Sequence, residues 1–136
     1  MSTTISTRLG DDFLRIPKLE VSGTNWVIYK DRFTWAIDAR GLAEHIADNA
    51  AQPADPIDYV RGTATALTAA EQSLDAEWKK ELKEWQQGEA IVKQQIAGTI
   101  PDSLFMKIRG KTTASAIWKE LSNEFQKKSR MVSVDL

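Results

Sequence analysis

From Trp26 to Arg40 the large apolar residues Trp26, Tyr29, Phe33 and Ile37 recur every three or four positions, the spacing that gathers them on one face of a helix. Trp35 and Ala36 widen that stripe. Asn25 stands where a short polar side chain caps the free N–H groups of a first turn, and Gly41 where a positive φ ends a helix. A short second helix is expected through Leu42, Ile46 and Ala47. The stripe Trp78, Leu82, Trp85, Val92 and Ile96 predicts the clearest helix, from about Leu74 to Ala97, packed on the first helix or paired between chains. Pro101 fits an early-turn position of another short helix, with Leu104, Phe105 and Ile108 as its buried side and Gly110 as its close. Thr113 then caps a last helix whose inward stripe is Ile117, Trp118, Leu121 and Phe125, and which Ser129 interrupts.

Polar and breaking residues divide these helices. Residues 1–20 read as an arm: Leu9, Phe13, Leu14, Ile16 and Leu19 are apolar, but Gly10 and Pro17 break any regular period. Residues 48–62 hold Pro53 and Pro56 among Asp and Asn and read as a long loop, with an alanine- and threonine-rich segment, 63–72, of undecided state. Residues 131–136 look like the opening of a further segment that is cut off. β-branched residues do not alternate as a strand requires. The expected fold is therefore all-α, a small orthogonal bundle of four to six helices over residues 21–130 with a loop at about 48–72.

Chemistry finds little purchase in this pattern. There is no cysteine, so disulfides and thiolate metal sites are excluded, and the one histidine, His45, has no second imidazole to share a metal with. No phosphate-binding glycine loop, zinc-protease or nucleophile-elbow motif occurs, and His45 reads as a structural or surface residue. No catalytic residue, cofactor or metal is expected. Glu89 is the misfit of the long apolar stripe: it either pairs with a basic residue of a neighbouring helix or marks the wet margin of the stripe, and Gly88 beside it, read as an open helical surface, favours the margin. Trp26, Trp78 and Trp118 lead apolar stripes and read as core, whereas Trp35 and Trp85 compete for the outside, where a tryptophan makes an interface anchor.

Net charge is -1, which gives no overall attraction to nucleic acid. The charge is unevenly spread, however. Lys107, Arg109, Lys111, Lys119, Lys127, Lys128 and Arg130 face only Glu120 and Glu124 over that stretch. A solvated helix face accounts for such a run, and so does a weak phosphate contact through Lys107, Arg109, Lys111, Lys127, Lys128 and Arg130. No apolar stretch approaches the ~20 residues of a membrane span, and the polar start lacks the apolar run of a signal peptide.

Taken in order, three groups of residues resemble the N-terminal Gag region of copia-type LTR retrotransposons. Lys18-Leu19 followed by Gly23-Thr24-Asn25-Trp26 is similar to that family's opening, and leads into a helix with Tyr29, Phe33 and Trp35 and then Leu42 in a short turn. Trp78, Trp85, Ala90, Ile91 and Ile96 resemble its long helix. Thr113-Ala114-Ser115-Ala116-Ile117-Trp118-Lys119-Glu120-Leu121 with Phe125 resembles its last motif. The resemblance spans residues 16–130 and implies a retroviral-capsid-like N-terminal lobe that oligomerises into virus-like particles around element RNA in the cytoplasm. It also implies a second, C-terminal capsid lobe as partner and a cysteine-histidine zinc knuckle, neither of which lies in this sequence. Two other readings of the residues stand beside it: a Gag-derived adaptor that holds a host protein or peptide in a helical groove, and a weak RNA-binding module using 107–130.

Overall fold

The computed structural model describes residues 16–47, 51–63 and 65–135, with side chains to residue 128. Among these it contains five α-helices and no strand: α1 (Trp26–Ala39), α2 (Asp58–Arg61), α3 (Ala69–Thr99), α4 (Asp102–Ile108) and α5 (Ala114–Asp135), with a 3-10 turn at Ala43–Ile46 between α1 and α2. The fold is a small all-α bundle, as the periodicity predicts. The apolar side chains expected in the arm at Leu9, Phe13 and Leu14 lie outside the described residues.

The inward stripes of α1 and α5 meet as a sheaf of aromatic rings. Trp26 stacks on Phe125 with centroids 5.5 Å apart, Phe33 stacks on Trp118 at 4.8 Å, and Tyr29 sits between Phe33 and Trp118 at 5.7 and 6.2 Å. Val92 and Ile96 of α3 and Leu104 and Ile108 of α4 close the core around them. Each such ring removes roughly 150–250 Å² from water, so this cluster supplies much of the hydrophobic stabilisation of so short a chain.

Gly23 explains how the chain enters α1. Its φ is +78°, and a Cβ there would stand 2.5 Å from the Phe125 ring, so both conformation and space demand glycine. Asn25 does not cap α1, contrary to expectation: its Oδ1 accepts from the Glu20 N–H at 2.9 Å and its Nδ2 donates to the Lys18 carbonyl at 2.8 Å. The side chain is spent on folding residues 18–20 back over the helix start. Leu19 is thereby buried, and its N–H donates to the Thr99 carbonyl at 2.8 Å. The Thr99 hydroxyl donates to the Gln95 carbonyl, which leaves its oxygen to accept from the buried Tyr29 phenol at 2.7 Å. Burial, only partly offset by that bond, pushes the phenol of Tyr29 above its ordinary range.

Helix α3 is longer than its apolar stripe. Thr68 and Glu71 form a reciprocal capping box, so the helix begins at Ala69, inside the segment whose state the sequence left undecided. Its 31 residues extend about 46 Å. Only the second half, through Val92, Ile96 and Thr99, enters the core. At the other end of the chain, α5 runs on past Ser129 to Asp135, so serine does not interrupt it, and 131–135 continue the same helix. Gly41, with φ +72°, ends α1 as expected, and Thr113 caps α5 through the Ala116 N–H at 3.2 Å.

Candidate functional site

Two side-chain clusters, one of them buried, and three surfaces carry what chemistry the bundle offers. The buried cluster lies where the 3-10 turn, α3 and α5 meet. His45 donates from Nδ1 to Glu89 Oε2 at 2.7 Å, and Glu89 Oε1 accepts the Ala114 N–H at 3.1 Å. Both side chains are buried, at 1% and 6% exposure. Glu89 is therefore not at a wet margin. It serves the first turn of α5, whose free N–H groups favour negative charge. Gly88 is no open surface either: the His45 ring lies over it, where any Cβ would collide. The Trp85 ring lies tilted beside the imidazole, with centroids 5.9 Å apart.

A second cluster pins residues 51–62 on the outer half of α3. Arg61 donates to Asp55 from Nε at 2.5 Å and to Asp75 from its terminal nitrogen, and its guanidinium lies 5.2 Å over the Trp78 ring. Trp78 Nε1 donates to the Pro53 carbonyl at 3.1 Å. The Arg61 bond first, then that from Lys79, holds the Asp75 carboxyl below the usual range. Trp78 thus lies outside the main core that its stripe predicts, because the partner it meets is the loop and not α1. The predicted loop is organised around this arginine, with Ile57 buried and α2 formed.

The basic strip of residues 107–130 is less positive than its sequence. Lys107 and Lys128 approach Glu124 at 3.6 and 3.7 Å, and Lys111 approaches Glu120 at 4.0 Å. Lys128 also lies 4.9 Å over the Phe125 ring and donates to the Val21 carbonyl at 3.4 Å. Lys107, Glu124 and Lys127 line one open surface cavity of about 760 Å³. Of the described cations here, Arg109, Lys119 and Lys127 have no carboxylate partner. The Arg130 side chain lies outside the described part.

Two apolar surfaces remain. On α1, Trp35 is 75% exposed, with Val27 and Ile28 exposed beside it. Between α3, α4 and the start of α5 runs a groove of about 390 Å³. Phe105, expected on the buried side of α4, instead stands 38% exposed in this groove while Leu104 and Ile108 turn inward. A seven-residue helix has room for only one inward face, and Phe105 falls off it.

Among the family-motif positions, Leu19, Trp26, Tyr29, Phe33, Ile96, Trp118, Leu121 and Phe125 share the core, Gly23 abuts Phe125, Asn25 braces residues 18–20, and Trp78 and Trp85 cover the two polar clusters. Sequence reasoning missed the His45–Glu89–Ala114 connection. Its only signals were a carboxylate on an apolar stripe, the glycine before it and the solitary histidine. Among the described residues, no group of three His, Asp or Glu is placed to hold a metal ion.

A helical bundle closed around an aromatic core, with its clusters used to join elements, defines a structural unit. Over residues 33–136 the chain matches the family described as gag-polypeptide of LTR copia-type, and it belongs to that family. The opening motif at residues 18–26 precedes the matched range. No curated relative and no solved structure matched the chain. The family is one of structural, non-catalytic proteins, which agrees with a Gag-like structural role. No helix among the described residues is long and apolar enough to cross a membrane.

Proposed function

We propose that this chain is a capsid unit that self-associates into a particle around element RNA. The family match over 33–136 carries the reading. The exposed Trp35 supports it, since a large apolar side chain left in water on a rigid helix is the usual form of an interface anchor. Further copies of the chain are the principal partner, with a second capsid lobe and RNA beside them. Each contact is weak alone, and repetition over a lattice multiplies it.

RNA binding in this reading is modest, because Glu120 and Glu124 already neutralise part of the basic strip. With three described cations free of carboxylates, about three phosphates are neutralised, giving a slope of log affinity on log salt of about -2 for single strands. Electron microscopy of the purified chain with and without single-stranded RNA, at low and high salt, tests the proposal. Regular particles whose yield rises with RNA and falls with salt are expected. A chain that forms no particles under any of these conditions contradicts it.

A further inference from the structure

The outward face of α1 and the groove between α3, α4 and α5 complement each other. At 100° per residue, the buried stripe of Trp26, Tyr29, Phe33 and Ile37 turns Ile28, Asp31 and Trp35 to the opposite side of α1. Ile28 and Trp35 stand two turns apart on one line, Val27 adjoins them, and Asp31 and Asp38 run alongside. All five are exposed, and neither aspartate has a basic partner in the described structure. Arg32 borders the stripe on the Ile28 side. This is an apolar ridge edged by carboxylates.

The groove has the opposite character. Phe105, Ile108 and Ile117 give it an apolar floor, and Lys93, Arg109 and Lys111 stand around it with no acidic residue in its lining. Arg109 has no partner, Lys111 has only the long approach to Glu120 at 4.0 Å, and Lys93 donates to the Thr112 carbonyl. An occupant that buries an aromatic side chain and brings carboxylates to the rim satisfies both parts. Single-stranded nucleic acid would stack a base on Phe105 and bring phosphate to the rim, but the α1 ridge supplies an aromatic side chain and carboxylates from the chain itself.

We propose that the α1 ridge of one copy docks in the α3–α4–α5 groove of a second copy, with Trp35 in the groove and Asp31 and Asp38 toward Lys93, Arg109 and Lys111. The proposal rests on the self-association reading above and specifies its surface. The ridge and the groove share no residue, so in a head-to-tail pair one copy keeps a free groove and the other a free ridge. Repeated head to tail, such contacts close into rings or extend as filaments. The occupant is a second copy because the chain itself carries both halves in matched charge.

Two variants and their mixture test this by sedimentation velocity over a concentration series. Trp35→Ala removes the anchor and leaves the groove. Phe105→Asp with Arg109→Glu fills the groove with negative charge and leaves the ridge. Both sites are solvent-exposed, and far-UV circular dichroism and the thermal midpoint confirm the fold of each variant. Each variant alone is expected to associate roughly tenfold or more weakly than the parent chain, as loss of an anchor side chain does. Their mixture is expected to form a one-to-one complex that grows no further, because one intact ridge meets one intact groove. Variants that associate as the parent does overturn the assigned surfaces while self-association stands. Weakened variants that do not complement each other overturn the pairing of ridge with groove. A parent chain that stays monomeric throughout overturns self-association and this contact with it.

Discussion

Glu89 and His45 are hydrogen-bonded at 2.7 Å in the interior, and the second oxygen of the same carboxylate takes the Ala114 N–H at the start of α5. One side chain therefore joins the 3-10 turn, α3 and α5. Glu89→Ala leaves the imidazole and that N–H without their acceptor, and is expected to destabilise the fold by about 2–4 kcal/mol. Glu89→Gln keeps an acceptor for one of the two and is expected to cost less. Urea denaturation of the two variants measures the difference.

Gly23 and Gly41 offer a matched pair. Both have positive φ, +78° and +72°, but a Cβ at Gly23 meets the Phe125 ring whereas one at Gly41 meets nothing within 4 Å. Gly41→Ala is expected to cost roughly 1–2 kcal/mol, the penalty of that backbone region alone. Gly23→Ala adds an overpacking cost of about 1–3 kcal/mol. Equal destabilisation of the two variants in urea would refute the assigned role of Phe125.

The Arg61 cluster gives residues 51–62 an acid-sensitive attachment. Asp75 has its folded-state pKa held below the unfolded value, first by the Arg61 hydrogen bond and then by that from Lys79. Its contribution is thus complete above the unfolded pKa, about 3.9, and is lost as pH falls through the lower folded value. Hydrogen exchange should show 51–62 losing protection in that acidic window before the aromatic core does. Asp75→Asn should remove the protection already at neutral pH.

Thr68→Ala removes one half of the capping box with Glu71. A loss of about 1 kcal/mol is expected, felt as fraying of the outer half of α3 rather than as global unfolding, because that half contributes no residue to the main core. Amide exchange at residues 69–78 against 92–99 distinguishes the two.

The parts of this fold legible in the sequence are those governed by local periodicity. Trp26, Tyr29, Phe33 and Ile37, and again Ile117, Trp118, Leu121 and Phe125, lie inward as their spacing predicts. Gly41 and Thr113 end and begin helices for reasons confined to a few residues. What was not legible depends on partners distant in the chain. Periodicity places Glu89 on an inward face but does not say that His45, 44 residues earlier, will meet it. It likewise turns Trp78 toward something, which proves to be Arg61 and Pro53 rather than α1. Asn25 has the right chemistry for a cap, but the backbone of residues 18–20 competes for the same side chain and wins. The basic strip reads as a positive patch because sequence does not show which lysines Glu120 and Glu124 reach.

We infer that this copia-type Gag chain binds copies of itself, and light scattering reads that directly. Weight-average mass should rise continuously with concentration, without RNA, and should fall back toward the monomer when Trp35 is replaced by alanine. A strict monomer at every concentration, unchanged by that substitution or by added RNA, would overturn self-association and shift the groove at Phe105 to the role of holding a foreign peptide.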